Sequence, residues 1–155
     1  MQADKIVFIL GDNFFYGRLF PKLINSHLIK KNNKSYIFVS HVNNPKEYGV
    51  AYFKQKKIIK IVEKPTNPKS NFAVTGLYIY NKNVLKVINK VKPSHRNELE
   101  ITSVNNALLK KNHLDYVDIG RGTAWFDLGG YENIYQCSEF IQILEKRQGL
   151  KVCDL

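Results

Sequence analysis

A continuous run of five apolar side chains near the start of the chain, residues 6–10, sets the first limit on the fold. The run reads Ile-Val-Phe-Ile-Leu and stops at Gly11-Asp12-Asn13. A short apolar run without alternation is typical of a strand that is buried on both faces. It is far shorter than the roughly 20 apolar residues that a membrane-spanning helix needs. The sequence therefore predicts a buried strand that ends in a loop carrying Asp12.

Strand and helix patterns alternate along the rest of the chain. Further strands are predicted at residues 36–42, 48–53, 58–62, 72–80 and 114–119. Helices are predicted at residues 19–30, 83–90, 98–111 and 132–146. Only four polar residues separate the strands at 48–53 and 58–62, so these two are expected to pair as a hairpin. The pattern predicts an α/β fold in one domain over residues 1–155, with a mixed, mostly parallel sheet, flanking helices and a β-hairpin.

The charge balance narrows the classes of partner. The 155 residues include 24 Lys and Arg against 13 Asp and Glu, which gives a formal net charge of +11. Such a charge fits a nucleic acid, a membrane surface or a small anionic substrate. The lysines form short groups at predicted helix ends and turns, without the interleaved aromatics of a nucleic-acid groove. We favour an ordinary solvated surface or an anionic substrate, and with two cysteines we expect a reduced, cytoplasmic setting.

Two aspartates follow apolar segments at opposite ends of the chain. Asp12 follows the first predicted strand, and Asp127 follows the apolar trio Ala124-Trp125-Phe126. Ligands of open α/β sheets bind beyond the carboxyl ends of the strands, and carboxylates placed there can hold Mg²⁺. The alternative is that each aspartate only satisfies the backbone of its own turn or helix entry. Spacing alone does not show that the two meet.

The predicted hairpin carries a second group of candidates. Glu63-Lys64 ends it, where Lys64 suits a phosphate and Glu63 can accept hydrogen bonds from sugar hydroxyls. Tyr48-Gly49 begins it, and a glycine lets the backbone approach a ligand closely. The alternatives are a charged surface pair and a bulge glycine. The four histidines show no spacing typical of a metal site or a catalytic triad.

Taken in order, these segments resemble the sugar-phosphate nucleotidyltransferases, and among them the glucose-1-phosphate thymidylyltransferases. The matching blocks cover nearly the whole chain. They include Leu10-Gly11-Asp12-Asn13-Phe14-Phe15-Tyr16-Gly17, Tyr48-Gly49-Val50, Glu63-Lys64-Pro65, Ala73-Val74-Thr75-Gly76-Leu77-Tyr78, Glu98-Leu99-Glu100-Ile101-Thr102, Ala124-Trp125 with Asp127, and Glu145-Lys146-Arg147-Gln148-Gly149-Leu150-Lys151-Val152. One block would be weak evidence, whereas this many in register is specific.

The resemblance implies a Rossmann-like nucleotidyltransferase fold and the formation of dTDP-glucose and pyrophosphate from dTTP and glucose 1-phosphate. It also implies homotetramers. Carried over by motif, Asp12 and Asp127 would bind Mg²⁺, and Lys64, with Arg96 beside it, would contact the sugar phosphate. The residues implied to bind the sugar are Tyr48, Gly49, Glu63, Lys64 and Val74.

One family motif does not occur among the 155 residues. It is the glycine-rich loop of the form Gly-Gly-x-Gly-Thr-Arg-Leu, which wraps the triphosphate in the family. We therefore expect the chain to correspond to the sugar-binding and metal-binding portion, incomplete as an isolated enzyme and active either within a longer parent polypeptide or when a separate N-terminal chain completes it. The alternatives are a non-enzymatic remnant that binds sugar nucleotide weakly and, on charge alone, a nucleic-acid-binding domain.

Overall fold

The computed structural model describes residues 4–92 and 99–152. Its strands are β1 (Lys5–Ile9), β2 (Asn13–Tyr16), β3 (Ser35–His41), β4 (Gly49–Lys54), β5 (Lys57–Glu63), β6 (Phe72–Asn81), β7 (Leu114–Asp118) and β8 (Ala124–Asp127). Its helices are α1 (Phe20–Leu28), α2 (Val84–Ile88), α3 (Ile101–Lys110) and α4 (Tyr131–Gln148), with a 3₁₀ turn at Pro45–Glu47. No helix among the described residues is long and apolar enough to cross a membrane.

Strand β6 is the centre of the main sheet, whose order is β5-β4-β6-β3-β7. β3 pairs along one edge of β6, while β4 and β1 pair with different parts of it. The α/β class, the flanking helices and the β4–β5 hairpin are confirmed. The sheet is mixed, but among the described strands β3 with β7 is the parallel pair and the other pairings are antiparallel. The predicted parallel majority is therefore not found here.

The hairpin turn explains part of this difference. Gln55 and Lys56 join β4 to β5, and both have positive φ, 49° and 60°. Two consecutive residues with positive φ make the turn whose twist suits a two-residue hairpin. Such a connection can produce only an antiparallel pair, because parallel neighbours need a crossover of a dozen or more residues.

The side chains of β3 divide the core into two layers. Ile37 and Val39 face one side, where they join Leu108 of α3 and Val84 of α2 in one buried cluster. The alternate residues face the other side, where Phe38 joins Phe20 at the start of α1 in a second cluster. Alternation along a strand sends successive side chains to opposite faces, so β3 supplies both layers.

The prediction of a buried strand at residues 6–10 is right about the strand and wrong about its burial. Residues 5–9 form β1, but Ile6, Val7, Phe8 and Ile9 are between 37% and 52% exposed. Within the described residues β1 pairs with β6 along one edge. The apolar sequence of β1 is typical of a strand that other elements cover on both faces. The described elements cover it only in part, so its apolar side chains stay partly exposed.

A second, two-stranded sheet was not predicted. β2 and β8 pair antiparallel, with Asn13 opposite Asp127 and Phe15 opposite Trp125. Each strand has only four residues, too few to show a period in the sequence. This small sheet brings the two aspartate segments together across more than a hundred residues of chain.

Candidate functional site

A cavity of about 200 Å³ lies between the two sheets, beyond the end of β1. It is bordered by the β1–β2 loop, the start of β4, the end of β5, the middle of β6, the first turn of α3 and β8. The residues predicted from sequence that line it are Asp12, Tyr48, Gly49, Glu63, Lys64, Val74 and Asp127. Arg96, the remaining candidate, lies outside the described residues.

The backbone holds the two aspartate segments against each other. The Leu128 N–H donates to the Asp12 carbonyl oxygen at 2.7 Å. Gly129 lies close to both carboxylates, since a Cβ built on it would be 3.3 Å from Asp127 Oδ1 and 4.0 Å from Asp12 Oδ2. Both carboxylates therefore approach the same point beside Gly129. Because glycine has no side chain, the space between the two carboxylates and this residue stays open.

The two carboxylates have oxygens to spare for a cation. Asp127 Oδ1 accepts a hydrogen bond from its own loop, from the Gly129 N–H at 3.2 Å, and Asp12 Oδ1 accepts one from Asn13 Nδ2 at 2.8 Å. No group of three or more His, Cys, Asp or Glu suited to a metal occurs in the described part of the chain. Mg²⁺ usually takes only one or two carboxylates and fills its octahedron with water and substrate phosphate. This donor set therefore fits Mg²⁺, which needs few protein ligands, better than a metal that needs a full protein cage.

Glu63 is held at the other end of the cavity. Thr102 Oγ1, in the first turn of α3, donates to Glu63 Oε2 at 2.5 Å. Gly49 lies opposite Glu63 in the β4–β5 ladder, and a Cβ on it would be 3.2 Å from both partners of that hydrogen bond. Beneath them, burial raises the pKa of the Tyr78 phenol, and the Glu63 carboxylate adds to the shift. The hydrogen bond from Thr102 thus holds the Glu63 carboxylate, and no other described residue donates to its Oε1, which can accept from a ligand hydroxyl.

Lys64 leaves the ladder immediately after Glu63. Its φ is 40°, a left-handed conformation that few residues other than glycine adopt, and its N–H donates to the Tyr48 carbonyl at 3.0 Å. Among the described residues, the one ion pair within 4 Å joins Lys82 to Asp4, so the Lys64 ammonium has no carboxylate partner there. A strained backbone that holds an unpaired cation at a cavity is typical of a functional site.

Tyr48 and Trp125 form an aromatic wall. Their ring centroids are 5.2 Å apart with a tilt of 57°. Burial raises the pKa of Tyr48, and the negative charges of Asp127 and Glu47 raise it further. The phenol therefore stays neutral at pH 7, and the wall adds no charge to the cavity.

Among the cavity residues that sequence reasoning missed are three whose side chains make the hydrogen bonds that shape the site, Asn13, Thr102 and Trp125. All three lie inside the quoted motif blocks, and Asn13 directly follows Asp12. Their side chains hydrogen bond to residues far away in sequence, as Trp125 does to Asn13, so local spacing carried no signal for their contacts. The motif blocks were the signal that could have pointed to them.

A larger cavity of about 720 Å³ opens at the other end of β1, but it contains none of the predicted site residues. Lys5, Lys30, Lys31 and Lys82 line it, and its carboxylate, Asp4, is paired with Lys82 at 2.8 Å. Burial and the charge of Lys30 lower the pKa of Lys5. The smaller cavity combines carboxylates, aromatic rings and the Lys64 ammonium, which no described carboxylate pairs with, and we take it as the candidate site.

Comparison with known proteins decides the family. The model of the nucleotidyl transferase family matches residues 1–143. The chain belongs to this family. Its relatives include a glucose-1-phosphate thymidylyltransferase of Mycobacterium tuberculosis (strain CDC 1551 / Oshkosh), 41% identical over 152 residues, which are 97% of this chain and 52% of that protein. Another, from Xanthomonas campestris pv. campestris (strain B100), is 40% identical over 146 residues, covering 94% of this chain and 49% of that protein.

The solved structures agree with the family. A Bacillus anthracis structure described as a glucose-1-phosphate thymidylyltransferase in complex with sucrose is 37% identical, with a TM-score of 0.77. The match covers 89% of this chain and 55% of that one. This confirms the Rossmann-like nucleotidyltransferase fold that the resemblance implied. The chain spans about half the length of the curated relatives it matches.

Proposed function

We propose that this chain carries the sugar-phosphate and metal side of an enzyme that forms dTDP-glucose and pyrophosphate from dTTP and glucose 1-phosphate. The observation that supports this most strongly is the convergence of seven sequence-predicted residues on one cavity. They come from five separate motif blocks, so a solvated turn or a surface pair does not account for all of them. Family membership gives no support to the non-enzymatic and nucleic-acid alternatives.

In the proposed reaction, a phosphate oxygen of glucose 1-phosphate attacks the α-phosphorus of dTTP. The new P–O bond forms as the bond to the β-phosphate oxygen breaks, and pyrophosphate leaves. Asp12 and Asp127 would hold Mg²⁺, which when bound neutralises phosphate oxygens. Catalysis of this kind consists mostly of positioning and of stabilising charge.

The chain's own side chains position the sugar phosphate. The ammonium of Lys64, which has no carboxylate partner among the described residues, neutralises the phosphate, with Arg96 proposed as a second cation. Glu63, held by Thr102, accepts hydrogen bonds from sugar hydroxyls, while Gly49 and Val74 contact the sugar through their backbones. The Tyr48 ring forms the apolar side of the cavity. Because the wall is neutral, the cations proposed to act on the phosphate are Lys64, Arg96 and the Mg²⁺ that the two aspartates would hold.

We further propose that another polypeptide segment of the nucleotidyltransferase domain covers β1 and supplies the triphosphate contacts. Two observations support this. Side chains on both faces of β1 are apolar and exposed, and the chain spans about half the length of its relatives. A cytoplasmic setting and a homotetrameric assembly remain predictions. Light scattering of the purified chain tests the assembly.

Two assays test the proposal. Calorimetry of the 155-residue chain with dTDP-glucose should show weak binding, about millimolar, because the glycine-rich loop that contacts the nucleotide phosphates in the family does not occur among these residues. Glu63→Ala should weaken this binding, whereas Glu139→Ala, on the exposed side of α4, should not. Equal affinity of the Glu63 variant and the wild type would refute the sugar assignment.

The second assay is pyrophosphate release with dTTP, glucose 1-phosphate and Mg²⁺. Loss of a single oxyanion-type donor costs about 10²–10³ in rate, and the glycine-rich loop would supply several. We therefore expect no useful turnover from the chain alone. Turnover near the usual enzyme range of about 1–10³ s⁻¹ would refute the need for a second segment.

A further inference from the structure

The side chain of Asn13 makes three hydrogen bonds to three different parts of the fold. Its Oδ1 accepts from the Gly76 N–H at 3.1 Å and from the Trp125 indole Nε1–H at 2.6 Å. Its Nδ2 donates to Asp12 Oδ1 at 2.8 Å. A backbone N–H and an indole N–H can only donate, and an ionised carboxylate can only accept. The partners therefore fix the orientation of the amide, because a flipped amide would lose all three bonds.

These bonds tie the two sheets together at the candidate site. Asn13 begins β2, Gly76 lies within β6 of the main sheet, and Trp125 lies in β8. The amide packs directly on the backbone of Gly76, where a Cβ would lie 2.5 Å from the Asn13 Cγ. The amide is thus held by a backbone, a ring and steric contact, and it has little freedom to turn.

The fixed amide in turn fixes Asp12. The Asp12 side chain is exposed, and an exposed carboxylate without a partner would sample several rotamers. The bond from Asn13 occupies Oδ1, while Oδ2 lies 4.0 Å from the Cβ position of Gly129, which Asp127 also approaches. Groups that orient a metal ligand in this way commonly change metal affinity by about 10–100-fold when they are removed.

We propose that Asn13 is a positioning residue for the cation site. It holds the Asp12 carboxylate with one oxygen turned towards Asp127, so that the pair is already arranged to take a divalent cation. This inference rests on the proposed Asp12–Asp127 metal pair. It adds that the affinity of this pair is set through an amide that is itself anchored by Trp125 and by the close packing of Gly76.

The test is Mn²⁺ binding to the 155-residue chain, with free Mn²⁺ measured by electron paramagnetic resonance. Asn13→Ala should raise the dissociation constant by about 10–100-fold. Trp125→Phe keeps the ring but removes the donor that anchors Asn13, and it should raise the constant by less. Asn33→Ala, an exposed asparagine after α1, should leave it unchanged.

Circular dichroism on the same samples separates positioning from a merely structural role. A structural role would lower the melting temperature and leave the affinity of the folded protein unchanged, and that result would overturn the proposal. If Asn13→Ala does not fold, Trp125→Phe decides, because an affinity equal to that of the wild type in a folded Trp125 variant contradicts the anchored amide.

Two further variants separate this inference from the proposed function. Asp12→Asn and Asp127→Asn should each abolish saturable Mn²⁺ binding. If they do and Asn13→Ala has no effect, the metal pair stands and the role of Asn13 is refuted. If neither aspartate matters, or the wild type shows no saturable binding, the metal pair itself is refuted, and the inference with it.

Discussion

Substitution of Gly76 by alanine tests whether the Asn13 amide is fixed as described. A Cβ at residue 76 would lie 2.5 Å from Asn13 Cγ and 2.7 Å from its Oδ1, closer than real Cβ contacts allow. The amide cannot yield freely, because it is bonded to the Gly76 N–H and to Trp125. Gly76→Ala must therefore either break these bonds or retain the overlap.

Loss of the hydrogen bonds and retention of the overlap would each lower the free energy of unfolding by a similar amount. Each lost hydrogen bond is worth about 0.5–1.5 kcal/mol, and overpacking costs about 1–3 kcal/mol. Replacing glycine by alanine returns about 0.4–1 kcal/mol through the unfolded chain. After this gain is subtracted, we expect Gly76→Ala to lower the free energy of unfolding by about 0.5–2.5 kcal/mol relative to the wild type.

Gly11→Ala is the matched control, one residue before Asp12. A Cβ there meets nothing within 4 Å, so the change should be neutral or slightly stabilising. The assay is urea unfolding followed by circular dichroism and by the fluorescence of the single tryptophan, Trp125, which donates to the same amide. Equal unfolding free energies for the two variants would refute the fixed amide.

Three further predictions concern the core, the hairpin and the aromatic wall. Leu108→Ala removes a side chain that is 1% exposed and should cost about 2–5 kcal/mol in urea unfolding; a cost below about 1 kcal/mol would contradict its place in the core. Lys56→Gly should relieve the strain of a φ of 60° and raise the free energy of unfolding by up to about 1 kcal/mol. Lys57→Gly, inside β5, should lower it. Melting temperatures that shift in the same direction for both variants would contradict the turn. Asp127→Asn should lower the raised pKa of Tyr48 towards 10.0, measured by NMR of ring-labelled tyrosine, and an unchanged pKa would place the two groups apart. Since folding raises this pKa, the contribution of Tyr48 to stability is present at neutral pH and is lost as the pH rises above 10.

The longer elements could be predicted from sequence because each carries its own local pattern. The apolar residues of α3 form one stripe over ten residues, which indicates a helix, whereas β3 contains the continuous aromatic and β-branched run Tyr36-Ile37-Phe38-Val39, which favours a strand. The β4–β5 hairpin followed from two strands separated by a short polar stretch. These signals are local in sequence, and the corresponding helix, strand and hairpin form in the structure at the predicted places.

Longer-range features escaped prediction for physical reasons. The pairing of β2 with β8 depends on contacts across more than a hundred residues, such as that of Trp125 with Asn13, and neither strand has a period of its own. The apolar run at residues 6–10 suits burial, but burial depends on what covers a strand, and its own sequence does not contain that information.

The candidate site could be predicted from sequence only in part: some of its residues carry a local signal, but their convergence depends on long-range contacts. Asp12 could be picked out because it ends a strand, and Glu63 because it ends a hairpin, yet only the fold brings the two to one cavity. The contacts that hold them, from Asn13 to Asp12 and from Thr102 to Glu63, join chemically ordinary side chains. Nothing in their residue types distinguishes them until the partners are in place.

We propose that the small cavity, and not the larger lysine-lined one, receives the sugar phosphate. Titration of the ¹⁵N-labelled chain with glucose 1-phosphate, followed by amide NMR shifts, distinguishes the two cavities. We predict saturable shifts at Gly49, Lys64 and Thr102, all of which line the small cavity. Shifts confined to Lys30 and Lys82, which line the larger cavity, would contradict it.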